Sequence, residues 1–81
     1  MRAVVTVMLK RDVLDPQGAA IVRACGSMGY DEIRDVRQGK VFEIELDAPD
    51  EATARARVEE LSGKLLSNPV IEDFRLDELK G

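Results

Sequence analysis

The run from Ile33 to Leu46, IRDVRQGKVFEIEL, constrains this chain more than any other stretch. Phe42, Ile44 and Leu46 alternate with Val41, Glu43 and Glu45, the period-two pattern of a strand with one buried face. Ile33 and Val36 are out of step by one residue, which predicts a weaker first arm carrying a bulge. Between the arms lies Arg37-Gln38-Gly39-Lys40. Gly39 can take positive φ without a Cβ penalty, so the spacing predicts a hairpin closed by a type I turn and a glycine bulge. An isolated hairpin is marginal in water. The remaining chain must therefore cover one of its faces and pair with its edges.

The flanking segments supply what the hairpin needs. Val5, Val7 and Leu9 alternate with Val4, Thr6 and Met8, and their β-branched richness predicts a first strand over residues 2–10. Asp15 is an N-cap and Pro16 suits the first helical position. A helix over 16–28 follows, with Ile21, Ala24, Cys25 and Met28 on its buried stripe and Gly29 as its left-handed stop. Acidic residues at Asp47, Asp50 and Glu51 open a second helix. Its predicted stripe is Ala54, Val58, Leu61 and Leu65, widened by Leu66, and Asn68-Pro69 ends it. Val70, Ile71, Phe74 and Leu76 predict a last strand over 70–76, followed by a frayed tail from Asp77 to Gly81.

The order is β-α-β-β-α-β. Right-handed crossovers then give a single α+β domain over residues 1–81 with a ferredoxin-like fold: a four-stranded antiparallel sheet with two helices on one face. The other face carries Val4, Thr6 and Met8 beside Val41, Glu43 and Glu45. It is apolar enough to invite a second subunit, so these six are dimer-face candidates. Few large aromatics are present (Tyr30, Phe42, Phe74, no Trp), and a domain with so thin a core favours association.

Charge and composition narrow the function. The net charge is -4 with both signs interspersed, unlike the basic stripe of a nucleic-acid module. No run of 18 apolar residues exists, so no membrane span is expected. Met1–Leu9 is too short for a signal peptide and Thr6 interrupts it. The single Cys25 excludes an internal disulfide and fits a reducing cytoplasm.

Catalytic candidates are scarce. Histidine, the commonest general base and metal ligand, is absent. Cys25 sits on the apolar stripe of the first helix and reads as a small core hydrophobe rather than a nucleophile. Glu43 and Glu45 share one strand face and read as a solvated or interface row rather than an acid–base pair. Gly26-Ser27-Met28-Gly29 lies at a helix C-terminus, where the dipole repels anions, so it is no phosphate loop. Arg34, Arg37 and Lys40 cluster at the predicted hairpin tip. They are either an ordinary solvated tip or a grip for an acidic partner or a phosphate. No active site emerges: catalytic, cofactor-binding and metal residues are all expected to be absent.

Three segments carry a family resemblance. They are Leu9-Lys10 with Val13-Leu14-Asp15-Pro16-Gln17-Gly18, then Val36-Arg37-Gln38-Gly39-Lys40, then Asn68-Pro69-Val70-Ile71-Glu72-Asp73-Phe74. In this order and spacing they resemble the PurS family, the small subunit of the three-component phosphoribosylformylglycinamidine synthase. Phe74 stands where that family often has Tyr, and Arg11-Asp12 precedes Val13 where a Gly is common. The resemblance implies a free-standing, non-catalytic subunit of an ATP-dependent ligase complex in de novo purine biosynthesis. It implies a self-associating chain, a dimer or dimer of dimers, that joins a glutaminase subunit to a large synthetase subunit and assists ammonia transfer. No cofactor is expected on this chain, while the complex is expected to use ATP and Mg. Asp15, Pro16, Gln17 and Gly18 at the helix start, with Arg37, Gly39 and Lys40 at the hairpin, are the implied partner-contact candidates. The competing reading is a ferredoxin-like regulatory module that binds a small metabolite at a dimer interface.

Overall fold

The computed structural model describes all 81 residues. Strand β1 (Arg2–Leu9) lies at the centre of a three-stranded antiparallel sheet. Strands β2 (Gly39–Glu45) and β3 (Glu72–Lys80) flank it on either side. Helix α1 (Pro16–Ser27) follows β1, and helix α2 (Glu51–Leu61) follows β2. A single π-helical turn, Ser62–Leu66, continues α2.

The α+β class holds, but the fourth strand does not form. Residues 31–38 stay outside the sheet, and β2 pairs with β1 instead of with a hairpin partner. The reason is local bonding. The Gln38 N–H donates to the Asp15 carboxylate at 2.7 Å, and the Arg37 guanidinium donates to the carbonyls of Lys10 and Val13, both at 2.9 Å. The would-be first arm is thus tied to the β1–α1 connection. Gly39 does not take positive φ; Gly29 alone does, at 90°. Gly39 opens β2, where a Cβ would collide with the Met8 sulfur and the Val7 carbonyl.

The alternation in β1 and β2 sorts the two faces as expected. Opposed residues in an antiparallel pair share a face. Val5 opposes Phe42 and Ala3 opposes Ile44, while Val5 also opposes Leu76 and Ala3 opposes Leu79 across the other edge. Leu76 and Leu79 are three residues apart and reach one face because the β1–β3 register shifts between Val4 and Val5, one extra residue being looped into β3. The predicted frayed tail is therefore strand. Val70, 79% exposed, precedes it in a turn where the Val70 N–H donates to the Asn68 side chain.

Helix α2 covers the inner face. Its N-cap Asp50 accepts the Thr53 N–H at 2.7 Å. Ala54, Val58 and Ser62 are fully buried, and Leu66 packs against the cluster of Ala3, Val5, Val7 and Val58. Leu65, expected in the stripe, is 81% exposed. The π turn explains this: the Ser67 N–H returns five residues to the Ser62 carbonyl, the wider turn rotates Leu65 outward, and Ser62 and Leu66 take the inward positions. The Ser62 hydroxyl is buried with no hydrogen-bond partner.

Helix α1 forms where the sequence placed it but does not bury its stripe. Asp15 caps it by accepting the Gly18 N–H at 3.0 Å, and beyond Gly29 the Tyr30 N–H bonds back to the Cys25 carbonyl. Gly18 is its one buried residue. Ile21 and Met28 are exposed, Ala24 is exposed and Cys25 half-buried. The helix stands beside the sheet rather than on it, and the molecule is 52 Å long. Its radius of gyration is 16.2 Å, against about 12 Å for a compact chain of this length. Its surface of 5862 Å² exceeds by about 1,000 Å² the value usual for its mass.

Candidate functional site

The Asp15-Pro16-Gln17-Gly18 and Arg37-Gln38-Gly39-Lys40 segments are far apart in sequence and meet at the base of α1. Each Asp15 oxygen has its own donor: one takes the Gly18 N–H, the other the Gln38 N–H. The Gln38 bond, then the Gly18 bond, hold the carboxyl below its ordinary range, with the Arg37 charge adding to this against the opposing effect of burial. Gly18 packs so tightly on the Val36 carbonyl that a Cβ there would collide with it. Arg37 bridges two carbonyls of the β1–α1 connection with one nitrogen. These four hydrogen bonds and the Gly18–Val36 contact form a clamp that fixes where α1 leaves the sheet.

Above the clamp opens a cleft of about 250 Å³. Val7 and Leu9 lie at its apolar side, and Pro16, Gln17 and Lys40 are among its exposed rim residues. Lys40 opposes Val7 across the β1–β2 ladder, so it stands on the inner face rather than at a hairpin tip. Its ammonium lies 3.5 Å from the Glu72 carboxylate of β3, bridging the two outer strands across β1. Arg34 lies apart, exposed in the 31–38 segment.

All seven contact candidates are thus adjacent, but they divide by role. Asp15, Gly18, Arg37 and Gly39 are committed to backbone contacts within the chain. Pro16, Gln17 and Lys40 present their side chains to solvent. The six dimer-face candidates also share one surface. Val4 opposes Glu43 and Thr6 opposes Val41, and Met8 and Glu45 continue the same outer face. Arg2 pairs with Glu43 at 2.9 Å, and Asp77 bonds both Thr6 and Arg75. That face is therefore mixed, with Val4, Met8 and Val41 set among Thr6, the two glutamates and their ion pairs. Glu43 and Glu45 alternate in β2 as expected, and no group of three Cys, Asp or Glu side chains is arranged to hold a metal ion. No helix is long and apolar enough to cross a membrane. Sequence reasoning missed Gln38 and Glu72. A backbone N–H and a carboxylate whose partner is set by strand order leave no signal in residue type.

A model of the PurS family, described as phosphoribosylformylglycinamidine (FGAM) synthase, matches residues 2–79. The chain belongs to the PurS family. It is 49% identical over 75 residues to phosphoribosylformylglycinamidine synthase subunit PurS of Mycobacterium leprae, covering 93% of this chain and 91% of that protein. Bacillus subtilis PurS has a similar solved structure, with a TM-score of 0.82, 45% identity, and coverage of 95% of this chain and 96% of that one. A chain in a structure of PurLQS from Thermotoga maritima gives a TM-score of 0.84 at 27% identity, covering 98% and 99%. The PurS fold thus recurs with the same extent in each.

Proposed function

We propose that this PurS chain is the small, bridging subunit of a phosphoribosylformylglycinamidine synthase complex. In this role it joins a glutaminase subunit to a large synthetase subunit and shelters ammonia passing between them. The match to the PurS family over residues 2–79 carries the reading. Likeness to a chain of PurLQS supports a place in a multi-subunit assembly. The chemistry explains the need for a bridge: ammonia released into water is protonated and no longer attacks an activated amide. Two active sites must therefore be held together and sealed from solvent.

The chain acts through surfaces and not through a reactive group, in the cytoplasm, where the complex works. ATP and Mg belong to the other subunits. Pro16, Gln17 and Lys40 contact a partner subunit, while Asp15, Gly18, Arg37 and Gly39 hold that surface in shape. The chain self-associates, because nine of 81 residues are buried and the excess surface matches one side of a standard interface, roughly 800 Å². The outer row of Val4, Thr6, Met8, Val41, Glu43 and Glu45 is the dimer face. The regulatory reading is weaker, since both Asp15 oxygens in the cleft already have backbone donors.

Reconstitution with the glutaminase and synthetase subunits tests this. Glutamine-dependent product formation is expected to need the chain, while ammonia-dependent formation by the synthetase is expected to persist without it. Full glutamine-dependent activity in its absence would overturn the bridging role. Lys40→Gln is expected to weaken assembly with the fold kept, because its amide can still donate to the mostly buried Glu72 carboxylate that the Lys40 ammonium faces at 3.5 Å. Lys40→Glu is a poorer probe, since it sets a second carboxylate against Glu72. Unchanged assembly by the Gln variant would remove Lys40 from the docking surface.

A further inference from the structure

The three aliphatic side chains most exposed on this molecule are Leu65, Val70 and Leu14, at 81%, 79% and 77%. They gather at one end. Strand β1 stops at Leu9, which pairs with Glu72, the first residue of β3, and the Lys10 N–H donates to the Ile71 carbonyl at 2.8 Å. Leu14 lies in the connection leaving β1, Leu65 in the π turn and Val70 in the turn entering β3. Each is held in place by side-chain bonds to backbone. Beside Leu14, Arg37 donates to the Val13 carbonyl and Asp15 accepts two N–H groups. The Ser67 hydroxyl closes the π turn on the Ser62 carbonyl at 2.8 Å. At Val70, the Asn68 side chain accepts the Val70 N–H at 3.1 Å, and the Glu72 carboxylate accepts the Asn68 N–H at 2.7 Å. The display of Leu65 also carries a cost. A regular helix would turn Leu65 inward, whereas the π turn buries the Ser62 hydroxyl with no partner. Such turns gather at functional sites, and rigidly held exposed aliphatics mark an interaction surface.

We propose that this end docks on the large synthetase subunit, with Leu14, Leu65 and Val70 entering apolar hollows of that partner. The proposal rests on the bridging role stated above and specifies where one of its contacts lies. The surface is continuous with the one already given to a partner subunit. Pro16 and Gln17 follow Leu14 by two and three residues, and Lys40 faces Glu72, two residues beyond Val70. The carboxylates around the three aliphatics are paired within the chain: Asp73 with Lys10 at 2.7 Å, Glu72 with Lys40 at 3.5 Å and Glu60 with Lys64 at 2.9 Å. The partner surface is therefore apolar rather than charged. A second copy does not fit. A two-fold contact needs projections and matching hollows on the same patch, and the hollows here are polar. The cleft holds Asp15, Gln38, Lys40 and Glu72, and Arg57, Glu60 and Lys64 flank Leu65. A leucine seated there would strip ion pairs of water without replacing their bonds. The synthetase is the fitting occupant because the relatives of this chain are subunits of the synthase, and permanent subunit contacts are the more apolar class.

Titration of the full chain onto the purified synthetase subunit, and in parallel onto the glutaminase subunit, tests this. Leu14→Asp, Leu65→Asp and Val70→Asp are each expected to raise the dissociation constant for the synthetase at least tenfold. Leu65→Ser and Val70→Ser add no charge and are expected to raise it at least threefold. Ala56→Asp, at an exposed position in the middle of α2, is the control and is expected to change it less than twofold. Circular dichroism and light scattering of each free variant are expected to match the natural chain, because the substituted side chains are already in solvent. Unchanged synthetase binding by all five variants would overturn the docking end and leave the bridging role standing. Weakened binding to the glutaminase alone would overturn the choice of partner, and with it the proposal. A change in the mass of the free variants would assign these residues to contacts between copies of the chain and would also overturn it. No binding of the natural chain to either subunit would overturn the bridging role itself.

Discussion

Asp15 serves two elements with one side chain. As N-cap it ends the first turn of α1, and through Gln38 it pins a segment 23 residues away. Both bonds need acceptor oxygens, so both favour the carboxylate, and the folded chain holds this proton less tightly than the unfolded chain does. The sign follows from linkage. A lowered folded pKa contributes stability fully above the ordinary value of 3.8, and that stability is lost as pH falls through the lowered value. Asp15→Asn keeps an N-cap but not the charge. Its unfolding midpoint is expected to change less than the parent's between pH 6 and pH 3 in urea titrations. Parallel pH profiles would show that the clamp does not depend on ionised Asp15. Sequence alone identified the cap, because capping is decided within four residues. The bond to Gln38 is set by where the chain returns, which no local pattern records.

The π turn at the end of α2 shows the same limit for an element. A stripe spaced for 3.6 residues per turn puts Leu61 and Leu65 inward. One wider turn transfers the inward places to Ser62 and Leu66 and leaves Leu65 in solvent. The Ser67 hydroxyl stabilises this turn by donating to the Ser62 carbonyl at 2.8 Å. Two neighbouring leucines are therefore expected to differ sharply. Leu65→Ala should change stability by less than about 0.5 kcal/mol, as exposed substitutions do, while Leu66→Ala should cost about 2 kcal/mol or more. Denaturant midpoints at one fixed chain concentration measure both. Equal losses would mean that Leu65 is inward and that α2 ends as a regular helix. The bulge in β3 is a parallel case: Leu76 and Leu79 break the period of two, and only pairing with β1 brings them to one face.

At the scale of the molecule, a sheet half-covered by one helix and a long projecting helix do not make a self-sufficient core. The interior holds Ala3, Val5, Val7, Ala54 and Val58 as its fully buried apolar residues. On the self-association proposed above, assembly is coupled to folding. The melting temperature is expected to rise by about 3–5 °C for each tenfold increase in chain concentration. Calorimetry from about 5 to 500 μM measures it, and a concentration-independent midpoint would mean that the single chain is stable by itself.

What the sequence determined by itself was local. The alternation in β1 and β2 assigned their inner and outer faces, Asp15-Pro16 and Gly29 bounded α1, and the spaced motifs identified the family. Each rests on interactions between residues close along the chain. Only the tertiary structure decided that Gly39 opens a strand, that residues 31–38 bind the β1–α1 connection, and that Leu65 faces solvent. It also decided that α1 stands off the sheet. In each case two bonding arrangements were open to the same residues, and the choice fell to a partner distant in sequence.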